Sequence, residues 1–171
     1  MTKVAQTPFE LEQMVNVCRN LKPRKILEIG VWYGGTLAHW LKIAGVVVAV
    51  DDQMLEAETW KGWADEHFGS VKLLHGKSQD PRIVDEVAKG APYDFCLIDG
   101  DHSYDGVNAD WLNYGPMCKV VAFHDILPRP DSEVSRLWQE IKPGRFTIEI
   151  VGTEPGPDYD NPVAGVGIVW M

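Results

Sequence analysis

The sequence predicts an α/β protein built on a single doubly wound, mostly parallel seven-stranded sheet that ends in a C-terminal antiparallel hairpin. The first observation is that short apolar runs alternate with helical patterns along most of the chain, which favours parallel strands joined by right-handed crossovers. The second is that the last two strand-like runs, at 145–152 and 165–171, have no helical pattern between them. Two such strands pair antiparallel, so the chain is predicted to end in a hairpin with a long loop.

Each earlier element follows from its own pattern. Leu11, Met14, Val15 and Cys18 are spaced as on one face of a helix, and Pro23 ends that pattern. Strands are predicted where an apolar run is too short for a helix and is followed by Gly or Asp. The predicted strands lie at 24–30, 45–52, 71–76, 93–100 and 118–125, and the predicted helices after them at 36–43, 53–68, 80–90, 104–114 and 134–141.

The length and composition indicate one globular domain. The chain has 171 residues, of which 45% are hydrophobic, so we expect a single domain over 1–171. Its N-terminal helix lies in 1–22, and the sheet with its helices occupies 23–171. No apolar run approaches the roughly 18 residues of a membrane span, and the N-terminus lacks a signal-peptide pattern. We therefore expect a cytoplasmic protein that does not contact a membrane.

Charge and cysteine usage narrow the classes of partner. The formal net charge of −9 disfavours a nucleic-acid partner, because proteins that bind phosphate backbones gather Lys and Arg. Cys18, Cys96 and Cys118 show no spacing typical of a zinc site or a disulfide framework, so we expect reduced, buried thiols. A small molecule is the expected partner.

Ligands of an open parallel sheet bind beyond the carboxyl ends of its strands. The first strand is followed by a turn in which Gly30 and Gly34 permit a close approach of backbone and ligand, although glycines also make ordinary tight turns. Trp32 lies inside this turn, where it either lines a pocket or anchors the loop. Asp51 ends the second strand, where an acid can accept hydrogen bonds from ribose hydroxyls or simply cap a strand.

A second group of polar residues follows the fourth and fifth strands, which are predicted to be neighbours. Asp99, Asp101 and His102 follow the fourth strand, and His124 and Asp125 end the fifth. Carboxylates and imidazoles brought together in this way can hold a divalent cation or act as acid and base. The alternative is a hydrogen-bonded network of turn residues that performs no chemistry.

Four motifs in this order resemble class I S-adenosylmethionine-dependent methyltransferases over almost the whole chain. They are ILEIGVWYGGT, VAVDD, HGKSQD and IDGDHSY. The chain looks most like small O-methyltransferases of the catechol and caffeoyl-coenzyme A type, and like bacterial enzymes that methylate sugars or antibiotics. The resemblance implies a Rossmann-like methyltransferase fold and S-adenosylmethionine as the cofactor.

The resemblance also implies roles for particular residues. Gly30 and Gly34 pack against the methionine part of the cofactor, Asp51 binds ribose, and the Ser78-Gln79 segment contacts adenine. The full set of cofactor-binding residues it implies is Glu28, Gly30, Trp32, Gly34, Asp51, Ser78, Gln79 and Asp99.

In the metal-dependent branch of the family, the corresponding positions hold magnesium, which maps onto Asp99, His124 and Asp125. Here a histidine replaces the first acid of a pair. Imidazole suits manganese and other transition metals better than magnesium, so this departure leaves the identity of the metal open. The expected divalent metal is Mg or Mn. The family carries a lysine base three residues after Asp99, so His102 is the predicted general base and Asp101 its substitute.

Two other functions are open from the residues alone. An NAD-dependent oxidoreductase also needs a glycine turn and a ribose acid, although the final hairpin and Gln79 argue against it. A non-catalytic S-adenosylmethionine-binding protein would share the cofactor site without turnover. The chain has few insertions from which to build a lid, which is consistent with a homodimer in which a partner subunit completes the pocket.

Overall fold

A computed structural model describes residues 4–53, 58–60, 62, 70–153 and 163–171. The predicted fold class is confirmed: a seven-stranded sheet has the order β3-β2-β1-β4-β5-β7-β6. The strands are β1 (Lys25–Ile29), β2 (Val46–Asp51), β3 (Ser70–His75), β4 (Phe95–Ile98), β5 (Val120–His124), β6 (Thr147–Ile150) and β7 (Val166–Trp170).

The helices lie close to their predicted positions. They are α1 (Pro8–Asn20), α2 (Leu37–Trp40), α3 (Pro81–Ala88), α4 (Tyr104–Tyr114) and α5 (Val134–Ile141). The α-helical part of α2 is shorter than the predicted 36–43, because Lys42 and Ile43 donate to carbonyls only three residues back and so close turns. Of the helix predicted at 53–68, Gln53 lies in a bend, residues 58–60 and 62 are helical, and the rest lies outside the described residues. No helix in the described part of the chain is long and apolar enough to cross a membrane.

The strand order places the carboxyl ends of five parallel strands, β1 to β5, at one edge of the sheet. β1 pairs parallel with β2 on one side and with β4 on the other, and β4 pairs parallel with β5. The order therefore reverses at β1, which is where an open sheet forms its ligand crevice. β7 pairs antiparallel with both β5 and β6, which confirms the predicted terminal hairpin.

Helices cover both faces of the sheet. α1 and α2 pack on one face, where Met14 and Trp40 are fully buried, and α4 and α5 pack on the other around Phe123 and Trp138. α1 begins with a capping box. The Thr7 hydroxyl accepts from the amide of Glu10, and the Glu10 side chain accepts from the Thr7 amide. This cap fixes the segment before α1 over the carboxyl edge of the sheet.

Candidate active site

A cavity of about 580 Å³ opens at the carboxyl edge of the sheet. Its wall is formed by the turns after β1, β2, β3, β4 and β5, together with the residues that precede α1. A volume of this size suits a cofactor or a drug-sized ligand. The strand ends that the sequence singled out therefore do converge on one site.

The turn after β1 is built around two backbone constraints. Gly30 has φ +83°, and a Cβ at this position would lie 2.1 Å from the carbonyl oxygen of Asp99. Gly34 has φ +76°, and its Cβ would lie 2.3 Å from Nε1 of the buried Trp60. Trp32, with φ 51°, is half-buried on the cavity wall and its ring packs edge-on against Tyr33 at 4.7 Å. A side chain at either glycine would displace its neighbour, so the turn requires glycine at both positions.

Asp51 lies at the end of β2 and contacts the glycine turn directly. One carboxylate oxygen, Oδ2, accepts from the amides of Val31 at 2.8 Å and Trp32 at 2.9 Å. The other, Oδ1, accepts from the amide of Gln53 at 2.7 Å. The carboxylate thus fixes the turn and borders the cavity, which is the position predicted for the residue that binds ribose.

Ser78 and Gln79 line the cavity in the turn after β3, and α4 holds both. The Tyr114 hydroxyl donates to the carbonyl of Ser78, and the Gln79 amide nitrogen donates to Oδ1 of Asp110 at 3.1 Å. Asp110 is fully buried, and burial raises its pKa to about 6, with the Ser78 hydroxyl and the Gln79 amide opposing the rise. The sequence pattern did not reveal this carboxylate, because it is one polar residue within an ordinary helix.

Glu28 and Gly34 lie behind the cavity wall. Glu28 is completely buried, and its Oε1 accepts from the hydroxyl of Thr36, which does line the cavity. Burial raises the pKa of Glu28 to about 8. The described structure therefore connects these two predicted cofactor residues to the cavity only through neighbours such as Thr36.

Asp99, His102 and Asp125 form a tight cluster at the far end of the cavity. Nε2 of His102 lies 3.4 Å from Oδ1 of Asp99, and its Nδ1 lies 3.1 Å from Oδ2 of Asp125. One ligand atom from each of the three residues lies within 4.8 Å of the others. The hydrogen bond with Asp99, partly offset by burial, raises the pKa of His102. The structure therefore brings the predicted base into the group of candidate metal ligands.

His124 borders the same cluster from the buried side. Its Nδ1 lies 3.3 Å from Oδ1 of Asp99 and 3.7 Å from Oδ1 of Asp125, and the residue is 3% exposed. Burial lowers the pKa of His124, but the two carboxylates outweigh burial and raise it to about 9. Burial likewise opposes ionisation of Asp99, but the two histidines reverse that effect and hold its pKa well below its usual range.

Two residues that the sequence pattern missed complete this end of the cavity. Nη1 of Arg129 donates to Oδ1 of Asp125 at 2.8 Å, and Nε2 of Gln6 donates to Oδ2 of Asp99 at 2.9 Å. The first bond is local, because the two residues are four apart in the chain, whereas the second joins segments 93 residues apart. Asp101, the predicted substitute base, borders the cavity, and its Oδ1 accepts from the amide of Ser103 at the start of α4.

Comparison with known families identifies the fold and the family together. The model of a family described as a methyltransferase domain matches residues 27–126, which is more than half of the chain. The chain belongs to this methyltransferase family. The match begins within β1 and ends just after Asp125, so it spans the strand ends that build the cavity. It sets aside the alternative of an NAD-dependent oxidoreductase.

Solved structures show the same fold in other methyltransferases. An O-methyltransferase from Bacillus cereus in complex with SAH is 15% identical, with 99% of this chain and 83% of that chain covered at a TM-score of 0.75. The O-methyltransferase TomG from Streptomyces achromogenes, involved in tomaymycin synthesis and in complex with SAM, is 18% identical, with 94% and 78% covered at a TM-score of 0.73. No curated protein sequence matches the chain.

Proposed function

We propose that this methyltransferase transfers the methyl group of S-adenosylmethionine to a hydroxyl oxygen of a small molecule. The observation that carries the proposal is the layout of one cavity, in which the glycine turn, Asp51 and Gln79 form one end while Asp99, His102 and Asp125 form the other. The two O-methyltransferases of the same fold, from Bacillus cereus and Streptomyces achromogenes, are complexes with SAH and SAM, which supports the cofactor assignment.

The residues at the cofactor end fit a nucleoside joined to an amino acid. The Gly30 turn packs tightly against the Asp99 carbonyl and lines the cavity, so a ligand chain would lie against it. Asp51 lines the same cavity from the neighbouring strand β2, where its carboxylate can accept from ribose hydroxyls. S-adenosylmethionine supplies a methyl group that is already activated on a sulfonium, so the protein mainly has to hold the acceptor oxygen in line with it. Gly30 directly follows β1 and Asp99 directly follows β4, and these two strands pair with each other. This pairing fixes the cofactor end relative to the reaction end.

The reaction end fits a divalent cation, held by Asp99, His102 and Asp125. Two carboxylates and one imidazole are a donor set that manganese accepts more readily than magnesium. A bound divalent cation would lower the pKa of the acceptor hydroxyl and hold its oxygen in place. Arg129 lies against Asp125 and balances part of the acidic charge, while Gln6 holds the other face of Asp99.

His102 has two candidate roles that an experiment can separate. Both of its ring nitrogens face carboxylates, so the imidazole is oriented either to ligate a cation or to take the proton of the acceptor. We favour the role of ligand, because His102 lies within 4.8 Å of both carboxylates in the group. The predicted ligand His124 lies beside the same carboxylates but is almost fully buried.

The charge of the cavity wall bears on the class of acceptor. We propose a small-molecule acceptor and no nucleic-acid substrate, because the cavity wall carries acidic residues that would repel a phosphate backbone, among them Asp52, Asp101 and Asp131. Fold similarity alone does not separate these acceptor classes. A cytoplasmic location and a homodimer remain predictions.

The test is methyl transfer from labelled S-adenosylmethionine to catechol and to a panel of hydroxylated sugars, with manganese, magnesium or excess chelator. We expect metal-dependent transfer to at least one acceptor class. Binding of S-adenosylmethionine without turnover on any hydroxylated compound would instead favour the non-catalytic binding protein. Full activity in chelator would remove the cation from the proposal while leaving methyl transfer in place.

The role of His102 is read from manganese affinity and rate together. We expect both His102→Ala and Asp99→Ala to abolish manganese binding, because each leaves too few protein ligands. If His102→Ala instead slows methyl transfer by roughly a hundredfold to ten thousandfold while manganese affinity is unchanged, His102 is the base. His39→Ala is the matched control, since His39 lies on α2 outside the cavity wall.

A further inference from the structure

Asp110 is a buried acid outside the cavity wall, and the Gln79 amide that donates to it belongs to that wall. Its Oδ1 accepts from the amide nitrogen of Gln79 at 3.1 Å, while its Oδ2 has no hydrogen-bond partner among the described residues. Asp110 itself is fully buried in the middle of α4. A buried carboxylate with one unpartnered oxygen depends strongly on the donors that it does have.

The position of Asp110 places it directly under the cavity floor. A Cβ on Gly100, which lines the cavity, would lie 3.7 Å from Oδ2 of Asp110. One helical turn further along α4, the Tyr114 hydroxyl donates to the carbonyl of Ser78. Two side chains on one face of α4 therefore hold both residues of the Ser78-Gln79 turn, one through its backbone and the other through its amide.

The chemistry of the pair fixes which way the Gln79 amide faces. An ionised carboxylate accepts hydrogen bonds and cannot donate them, so the amide nitrogen of Gln79 must face Asp110. The amide oxygen is consequently the end of the Gln79 side chain left to accept from a ligand, and Gln79 lines the cavity. The Gln79 amide oxygen can accept a hydrogen bond from an amino group of a ligand, whereas it is repelled by a carbonyl oxygen of a ligand.

We infer that Asp110 is a positioning residue which, by orienting the Gln79 amide, makes the cavity select a 6-aminopurine over a 6-oxopurine. The inference rests on the proposed function, because it concerns how the same cavity recognises the base of its cofactor. Asp110 acts through Gln79 and does not itself contact the ligand. Asparagine at this position can donate as well as accept, so it would let the Gln79 amide adopt either orientation.

The test compares binding of S-adenosylhomocysteine with binding of its deaminated analogue, S-inosylhomocysteine, by calorimetry. We expect the wild type to prefer S-adenosylhomocysteine by about tenfold or more, the scale of one hydrogen bond gained or lost. Asp110→Asn should reduce this preference to within about threefold, because either amide orientation then becomes available. Asp105→Asn, an exposed acid on the same helix, is the matched control and should keep the wild-type ratio.

A purely structural role for Asp110 would weaken both ligands equally and leave their ratio unchanged, which would overturn the inference. Gln79→Leu removes the amide itself and should also abolish the preference, so this variant decides the matter if Asp110→Asn does not fold. In the Gln79→Leu background, Asp110→Asn should have no further effect on the ratio. A wild type that binds S-adenosylhomocysteine without preference contradicts the inference alone, whereas one that binds neither ligand contradicts the proposed function as well.

Discussion

The two ends of the cavity are built in different ways. At the cofactor end, the decisive contacts are made by the backbone: Gly30 packs against the carbonyl of Asp99, and Asp51 binds the amides of Val31 and Trp32. At the reaction end, the contacts join titratable side chains from separate segments, among them His102 with Asp125. The first arrangement needs particular residues within short motifs, and the second needs pairs that are brought together only by folding.

This difference determines what each end can tolerate. A backbone turn with no space for a Cβ fails with a single added methyl group, because close-packed atoms cannot move aside without cost. A network of paired charges fails when one partner is removed and the other is left buried. We therefore expect substitutions at the cofactor end to act mainly on ligand affinity, and those at the reaction end to act on cation binding and stability.

The largest effect is expected from Gly30→Ala at the cofactor end. Its Cβ would lie 2.1 Å from the Asp99 carbonyl oxygen, so the turn must distort and S-adenosylhomocysteine binding should be lost. Gly144→Ala is a close control, because Gly144 also has positive φ, +76°, yet a Cβ there meets nothing within 4 Å. The control should cost about 1–2 kcal/mol of stability, the strain of the left-handed conformation, without affecting binding. Calorimetry that finds equal affinities for the two variants would contradict the role of the Gly30 contact.

The next effect tests the reaction end through Arg129→Gln. Asp125 is 2% exposed at its side chain and Arg129 is 12% exposed, so the substitution leaves a buried carboxylate with one partner fewer. We expect a loss of about 3 kcal/mol in the free energy of unfolding, measured by urea denaturation, with affinity for S-adenosylhomocysteine unchanged. Arg82→Gln breaks an exposed ion pair with Asp80 and should leave stability unchanged. A parallel loss of cofactor affinity in Arg129→Gln would show that the two ends are not independent.

A comparable or smaller effect is expected from Asp51→Ala. Removing the carboxylate deletes the ribose partner and two hydrogen bonds to the glycine turn, so S-adenosylhomocysteine should bind more weakly by about 1.5–3 kcal/mol. The adjacent Asp52→Ala serves as the comparison, because Asp52 is exposed and should matter less. An affinity in Asp51→Ala equal to that of the wild type would argue against the ribose assignment.

The smallest effect concerns Glu28, behind the cofactor end. Its pKa is raised by burial from an ordinary 4.5 to about 8 in the folded protein, so the unfolded chain binds fewer protons between these values. The stability contribution of this group is therefore complete below about pH 4.5 and is lost as the pH rises toward about 8. Glu28→Gln cannot ionise, so its stability relative to the wild type should increase by at least about 1 kcal/mol from pH 5 to pH 8. A difference independent of pH would show that Glu28 is not buried in its neutral form.

The comparison also explains which features could be predicted from the sequence. The parallel sheet and the terminal hairpin follow from apolar runs and from helical spacing, which are local patterns. Gly30, Asp51 and Gln79 follow from motifs at strand ends for the same reason. The structure places Asp51 on the amides of the glycine turn and on the cavity wall, and its role toward the cofactor stays a prediction.

The remaining features depend on contacts between distant segments. Gln6 reaches Asp99 across 93 residues, and Asp110 reaches Gln79 across 31, and neither pair leaves a local signal. The arrangement of His102 between two carboxylates depends on the side-chain geometry of β4 and β5, which the strand order alone does not specify. For that reason the sequence named the members of the cluster but assigned His102 and His124 to roles that only geometry can distinguish.

The most direct test of the central claim is a calorimetric titration of the purified wild-type protein with S-adenosylhomocysteine, followed by a challenge with NAD. We predict saturable binding at one site per chain, with no displacement by stoichiometric NAD, because we assign the glycine turn, Asp51 and Gln79, which line one cavity, to an adenosine joined to an amino acid. Absence of binding, or displacement of bound S-adenosylhomocysteine by NAD, would contradict the proposal that this cavity is the cofactor site of a methyltransferase.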